Sequence, residues 1–175
     1  HKHILILDDI ADRDEKRYGG PTLEYTYREL LQDYKDSAHL AQSLAMFDGV
    51  LLGAYARELL VQSQIPANVV VDCLHILHTT MFRDTLAGWQ IHGLQSVQPI
   101  EQATPEEFIK GLRLVTASYT FEGPLRIGLT LAGNKDVQLQ EALDQYASTV
   151  GTAFQIHDDI LGLFGDPTTT GKPVG

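Results

Sequence analysis

Leu139–Phe164 has the sequence LQEALDQYASTVGTAFQIHDDILGLF. Its apolar residues recur at alternating steps of four and three, which is the spacing of one face of an α-helix. We therefore expect one long helix, ended by Gly165-Asp166-Pro167, whose apolar seam packs against neighbouring helices. The residues of this seam are Leu139, Leu143, Tyr146, Val150, Ala153, His157, Ile160 and Phe164.

Most of the remaining chain has the same helical character. The predicted helices span Ala38–Gln62, Pro66 to about His92, Thr104 to about Thr120, and a short segment through Ala132 that ends at Gly133-Asn134. Thr104-Pro105-Glu106-Glu107 is typical of a helix start, and Gly123-Pro124 is expected to break a helix. Arg13–Tyr27 is predicted to be a loop and Ser96–Ala103 a linker. No stretch alternates as a strand does, so we expect an all-α bundle of long helices in a single domain over residues 1–175.

The composition excludes several classes of function. The 175 residues include 13 Lys and Arg against 23 Asp and Glu, a formal net charge of −10. So acidic a chain is a poor candidate for non-specific nucleic-acid binding, which draws on dense Lys and Arg, and we expect no nucleic-acid partner. The single Cys73 excludes an intrachain disulfide and is typical of a reducing compartment, so we expect a cytoplasmic protein. No window reaches the ~20 apolar residues that span a bilayer.

Two acidic clusters lie inside apolar helical segments. The first is Asp8-Asp9-Ile10-Ala11-Asp12, in which Asp8 and Asp12 are one helical turn apart on the same face. The second is Asp158-Asp159, with Gln155 one turn earlier. Like charges at this spacing destabilise a helix unless something neutralises them, and Mg²⁺ prefers carboxylate oxygens and bridges to phosphates. If the first and last helices face each other, the two clusters can hold metal ions and a diphosphate.

A simpler interpretation competes with this one. Acidic runs are usually solvated helix faces, and either cluster alone would favour that interpretation. Together they place carboxylates where a core would have Leu, which favours metal-diphosphate binding. Asp72, His75 and His78 form a further candidate metal face. They are three residues apart, so their side chains do not stay on one line along the helix. Core or dimer-facing histidines are the better interpretation there.

At the acidic clusters the chain resembles the trans-isoprenyl diphosphate (polyprenyl) synthases, among them bacterial geranylgeranyl and farnesyl diphosphate synthases. Asp8–Asp12 matches the DDxxD motif of that family and is followed by Arg17 and Gly19-Gly20-Pro21-Thr22. Phe154–Asp159 is similar to the second aspartate-rich motif, and Thr116–Phe121 to the KTxxY segment. Three segments in the order of the family, over nearly the whole chain, make the resemblance specific.

The resemblance implies an isoprenoid synthase fold, with long helices around a central cavity. It also implies a prenyltransferase reaction, in which Mg²⁺ helps an allylic diphosphate to ionise. The double bond of isopentenyl diphosphate attacks the carbocation, a proton is lost, and a trans-prenyl diphosphate forms. The two diphosphates would be the partners, and several Mg²⁺ ions per site the cofactor.

Roles for individual residues follow from the same resemblance. The metal ligands would be Asp8, Asp9, Asp12, Asp158 and Asp159. The catalytic residues would be Asp8, Asp12, Asp158, Lys172 and Thr116. The substrate-binding residues would be Arg17, Tyr18, Thr116, Phe154, Gln155 and Lys172.

The chain departs from the family pattern at several positions. Val115 stands where the family has the Lys of KTxxY, and Tyr18 stands where it has a second Arg that meets isopentenyl diphosphate. The GQxxD segment corresponds to Gly88–His92, with Trp and His in polar positions, and Gly162 replaces a third Asp. These losses leave open a second hypothesis, a catalytically impaired or regulatory subunit of a heteromeric synthase. The Asp158-Asp159 pair argues against a third, a terpene cyclase.

Length and flanking residues give the remaining expectations. The chain begins shortly before the first motif and stops after Lys172, so we expect an incomplete domain that lacks terminal parts of the family. Ile4 and His3 occupy the positions that help to set product length, and neither is a large aromatic, which suggests a C15 to C20 product. The apolar helices from Ala38 to His92 suggest a homodimer.

Overall fold

The computed structural model describes residues 1–99 and 104–166. The helices are α1 (Lys2–Asp12), α2 (Leu23–Leu30), α3 (Ser37–Val61), α4 (Ala67–His78), α5 (Asp84–Gln95), α6 (Pro105–Leu112), α7 (Gly123–Leu131) and α8 (Val137–Phe164). Two π-helical segments, π1 (Thr79–Arg83) and π2 (Arg113–Glu122), and a hairpin of β1 (Lys16–Arg17) and β2 (Gly20–Pro21) complete the order. The all-α prediction is therefore confirmed. No helix in the described ranges is both long and apolar enough to cross a membrane.

The chain forms two compact units. One contains residues 1–63 and the segment from Gly162, and the other contains residues 64–161. The acidic cluster on α1 belongs to the first unit. Asp158 and Asp159 belong to the second.

In the first unit, α3 packs against α1 through a row of small residues. The buried positions of α3 are Ala41, Ala45, Gly49 and Gly53, four residues apart and therefore on one face. A Cβ atom at Gly49 would lie 3.0 Å from Cδ2 of Leu7, so the two helices approach closely because this position has no side chain. Bulky apolar residues also recur at helical spacing on α3 but lie outside this face, since Phe47 is 60% and Tyr55 52% exposed.

The prediction of a loop over Arg13–Tyr27 is wrong. The segment folds into the hairpin and the first turns of α2. Thr22 caps α2, because its hydroxyl oxygen accepts a hydrogen bond from the Tyr25 N–H at 3.3 Å. Tyr27 then links α2 to α3, since its hydroxyl donates to Oδ2 of Asp48 at 2.5 Å. Tyr18 and Gly19 form the turn of the hairpin, Gly20-Pro21 forms its second strand, and the capping Thr22 directly after that strand starts a helix.

In the second unit, helices run on through π-helical turns. The predicted helix from Pro66 to about His92 is α4, π1 and α5 in direct succession. The expected break at Gly123-Pro124 is wrong, because π2 leads directly into α7. Pro124 falls in the first turn of α7, where its missing N–H is tolerated. The Gly123 N–H donates to the Ser118 carbonyl five residues earlier.

The helix predicted at the end of the chain is present as α8, but its buried face is not the predicted seam. Ala147 and Gly151 are its buried residues. Tyr146 is 56% and Phe164 81% exposed. A Cβ atom at Gly151 would lie 2.4 Å from Cβ of Ala117, which shows that α8 is in close contact with π2. Small residues therefore define the packed face of α8, as they do on α3.

Candidate functional site

An arginine of the hairpin makes ion pairs with the first acidic cluster. Tyr18 and Gly19 both have positive φ angles, 54° and 78°, which form the tight turn of the hairpin. This turn follows Arg17, whose Nε donates to Oδ1 of Asp9 at 2.5 Å and whose Nη2 donates to Oδ2 of Asp8 at 2.8 Å. The structure therefore brings together three of the predicted site residues, Asp8, Asp9 and Arg17.

The environment of Asp8 disfavours its ionised form. Burial, with the negative charge of Asp12 as the next cause, raises the pKa of Asp8 to about 6, although Arg17 acts in the opposite direction. Asp9 is only 6% exposed. The pKa of Arg17 rises: burial of the guanidinium opposes this change, but the hydrogen bonds and charges of Asp9 and Asp8 outweigh it.

These residues fit a hard cation by the chemistry of their donors. Asp8 and Asp12 lie on one face of α1, and their mutual repulsion is the interaction that a divalent ion relieves. In residues 1–99 and 104–166, no group of three or more acidic, His or Cys side chains converges as a ready metal site. The carboxylates Asp8 and Asp9 are instead turned towards Arg17.

A cavity of about 240 Å³ lies beside Arg17 in the same unit. Lys2, Asp9, Tyr18 and Thr22 contribute polar groups to its wall. The Nζ atom of Lys2 lies 4.9 Å from the centre of the Tyr18 ring, a cation–π contact. Lys2 was missed from the sequence. The signal that could have found it is its helical register, because Lys2 is seven residues before Asp9 and so lies on the same face of α1.

The second cluster is organised by π2 and α8. The Thr116 hydroxyl donates to Oε1 of Gln155, and Nε2 of Gln155 donates to Oδ1 of Asp159 at 2.7 Å. We call this series the Thr116–Gln155–Asp159 relay. Gln155 and Asp159 meet because they are four residues apart on α8. Asp158, one residue away, is exposed and lies outside the relay.

Apolar and charged neighbours complete the second cluster. The ring of Phe154 meets that of Phe121 edge-on, with 5.9 Å between centroids. Val115, where the family has Lys, is half-buried beside Thr116. Arg113 does not substitute for that Lys, because it makes a two-pronged ion pair with Glu122 at 2.6 and 3.1 Å. Lys172 was also predicted for the site and lies outside the described residues.

Comparison with known proteins identifies the family. A family model described as polyprenyl synthetase matches residues 1–175. The short-chain isoprenyl diphosphate synthase of Methanocaldococcus jannaschii is 32% identical over 176 residues, which cover 100% of this chain and 47% of that protein. The geranylgeranyl diphosphate synthase of Sulfolobus acidocaldarius is 29% identical over 176 residues, covering 99% and 48%.

A solved structure agrees with these matches. The geranylgeranyl pyrophosphate synthase from Corynebacterium glutamicum, in a crystal structure with isoprenyl diphosphate and magnesium, is 31% identical with a TM-score of 0.85. The match covers 99% of this chain and 48% of that one. The chain therefore has the all-α isoprenoid synthase fold.

The chain belongs to the polyprenyl synthetase family, as the resemblance predicted. It spans about half the length of the curated relatives it matches. Those relatives are named as synthases, which does not favour the hypothesis of a regulatory subunit.

Proposed function

We propose that the protein is a prenyltransferase that joins an allylic diphosphate to isopentenyl diphosphate. The C–O bond of the allylic substrate breaks, and the diphosphate leaves with the bonding electrons. The double bond of isopentenyl diphosphate attacks the resulting cation and forms the new C–C bond. Loss of a proton then restores a double bond and gives a trans-prenyl diphosphate. The family match over both compact units supports a single synthase domain.

The observation that carries this proposal is the cluster of Asp8, Asp9 and Arg17. Asp8 is a half-buried carboxylate with a raised pKa, and Asp12, one turn later, is a second carboxylate on the same helical face; this pair is arranged for a divalent cation. Bound Mg²⁺, in several ions per site, would neutralise the diphosphate and make it a better leaving group. Asp8, Asp9, Asp12, Asp158 and Asp159 would hold the metal, while Arg17 and Lys172 would hold the diphosphate.

We assign the relay to the reacting end of the allylic substrate, where the cation forms. Thr116 and Gln155 present oxygen atoms with partial negative charge, which stabilise a nearby carbocation. Phe154 and Phe121 would contribute apolar surface beside such an intermediate. Tyr18 lines the cavity beside Arg17 and would contact the isopentenyl diphosphate. The product is expected to be C15 to C20, since His3 and Ile4 leave the predicted length-setting positions without a large aromatic.

The test is product analysis of the full-length protein with radiolabelled isopentenyl diphosphate, Mg²⁺ and each allylic diphosphate in turn. A discrete prenyl product that disappears in Asp12→Asn supports the proposal. Asp33→Asn is the matched control, because Asp33 is an exposed aspartate in the segment between α2 and α3. Failure of the wild-type protein to form a product with every allylic substrate contradicts the proposal.

We also propose that the protein is a homodimer in the cytoplasm. Support for the dimer comes from α3, where Phe47, Val50 and Leu51 are each about half exposed, at 60%, 53% and 46%. Support for the location comes from Cys73, a free and buried thiol. Light scattering of the wild type and Phe47→Glu tests the dimer: we expect twice the monomer mass, falling to the monomer mass in the variant. Cell fractionation tests the location.

A further inference from the structure

Two hydroxyl groups meet in the interior of residues 64–161. Thr85 on α5 is 0% exposed and Ser118 on π2 is 2% exposed, and their oxygen atoms are 2.8 Å apart. The Ser118 oxygen is also 2.6 Å from the Leu114 carbonyl, and the Thr85 oxygen is 3.1 Å from the Met81 carbonyl. Each hydroxyl has one proton to donate, so only two of these three contacts can be hydrogen bonds at one time. The two shorter contacts define a series in which Thr85 donates to Ser118 and Ser118 donates to Leu114.

This series ties π2 to α5. The Ser118 hydroxyl donates to a carbonyl of its own helix four residues earlier, a bond that Ser43 and Thr130 also make in α3 and α7. The contact that is particular to π2 is the one with Thr85, which reaches the Ser118 hydroxyl from the neighbouring helix.

π2 is closely packed on two sides. A Cβ atom at Gly88 would lie 2.7 Å from Cβ of Leu114, and one at Gly151 would lie 2.4 Å from Cβ of Ala117. The segment is therefore enclosed by α5 on one side and by α8 on another. Moving π2 by one residue would turn Thr116 by roughly a quarter of a turn around the helix axis, away from Gln155.

We propose that Thr85 and Ser118 are positioning residues: their buried hydrogen bond holds π2 in the register that presents the Thr116 hydroxyl to Gln155. Neither residue belongs to the relay. Thr85 is on α5, and Ser118 is two residues after Thr116. Their effect on turnover rests on the proposed prenyl transfer, whereas their effect on Gln155 is independent of it.

The kinetic test compares two substitutions of one residue in the full-length protein. Thr85→Val keeps the shape of the side chain and removes the hydroxyl, whereas Thr85→Ser keeps the hydroxyl. We expect Thr85→Val to lower kcat about tenfold with KM for the allylic diphosphate within twofold, because the relay and not the diphosphate site is displaced. Thr85→Ser should retain wild-type kcat. Ser118→Ala is the second variant and should behave as Thr85→Val does.

A second readout does not depend on activity. In protein labelled with ¹⁵N-glutamine, the side-chain amide of Gln155 is assigned by its loss in Gln155→Ala. We expect its resonance to shift in Thr85→Val and Ser118→Ala and to stay in place in Thr85→Ser. An unchanged Gln155 resonance in folded Thr85→Val or Ser118→Ala overturns the proposal, as does an equal shift in Thr85→Ser. If the wild type makes no prenyl product, the proposed function fails, and the resonance still decides the positioning role.

Discussion

The acidic residues of α1 and those of α8 are held in different ways. Asp8 and Asp9 form ion pairs with the guanidinium of Arg17, which balances part of their charge. Asp159 instead accepts a hydrogen bond from the neutral amide of Gln155. A guanidinium fixes a carboxylate and reduces the local negative charge, whereas an amide fixes its orientation and leaves the charge in place. Similar residues on two helices are therefore expected to respond differently to substitution.

The largest effect is expected when a proposed metal ligand is lost. Asp8→Ala and Asp158→Ala should each weaken Mg²⁺-dependent pyrophosphate binding by roughly 10²- to 10³-fold, because each removes a charged oxygen ligand. Isothermal titration calorimetry measures this affinity, with Asp33→Ala as the control. Wild-type affinity in both variants would refute the assignment of these clusters to metal binding.

The next effect concerns the contribution of Arg17, the partner of the first cluster, to the free energy of unfolding. Arg17→Leu should lower the free energy of unfolding by about 2–4 kcal/mol at pH 7, because Asp8 and Asp9 would lose the cation that compensates their burial. Arg28→Leu is the control: Arg28 also pairs with a buried carboxylate, Glu24, but its own side chain is 43% exposed. We expect a loss of about 1 kcal/mol or less there. Urea denaturation measures both, and equal losses would contradict the special role of Arg17.

A smaller effect is expected in the relay on α8. Gln155→Leu should lower kcat about tenfold while Mg²⁺-dependent pyrophosphate affinity stays within about twofold, because Asp159 keeps its charge and loses only its orientation. Gln145→Leu is the matched control on the same helix, where Gln145 is exposed and bonds Thr149. A loss of affinity as large as the loss of turnover would show that the relay binds substrate in its ground state.

The smallest effect concerns the start of α1. Burial is the main cause that lowers the pKa of His3, to about 4. Its unfolded value is 6.5, so between pH 6.5 and 4 the unfolded chain binds more protons and stability falls as pH falls. We expect His3 to account for about 1–2 kcal/mol of this loss. Urea denaturation at pH 7 and pH 5 should show a smaller difference in His3→Gln, and an unchanged difference would contradict this assignment.

The long helices could be predicted from sequence because their periodicity is local. The exceptions depend on tertiary context. Pro124 is tolerated because π2 leads into α7, and a wide turn of this kind leaves no periodic signal in the sequence. The helix α2 was hidden by Gly19-Gly20-Pro21, although the capping Thr22 follows directly. On α3 and α8, the bulky periodic residues marked a helix correctly, but small residues form the packed face.

The candidate site was predictable in its residue types and less so in its contacts. The motif resemblance indicated Asp8, Asp9 and Arg17, and the structure shows them joined. It also indicated Thr116 and Gln155, which the structure links to Asp159 but not to Asp158. The contact between Lys2 and Tyr18 was not predictable, because it depends on the left-handed backbone of Tyr18 in the hairpin turn.

The small residues on α3 have a consequence for how this sequence can vary. A methyl group at Gly49 would crowd Leu7, the residue directly before Asp8, and one at Gly53 would come within 3.2 Å of the His3 ring. A systematic substitution scan should therefore find α3 two-sided: intolerant of side-chain growth every fourth residue and permissive at the bulky positions between. Variation that spares every charged residue can still move the carboxylates, because the helix behind α1 sets where α1 lies.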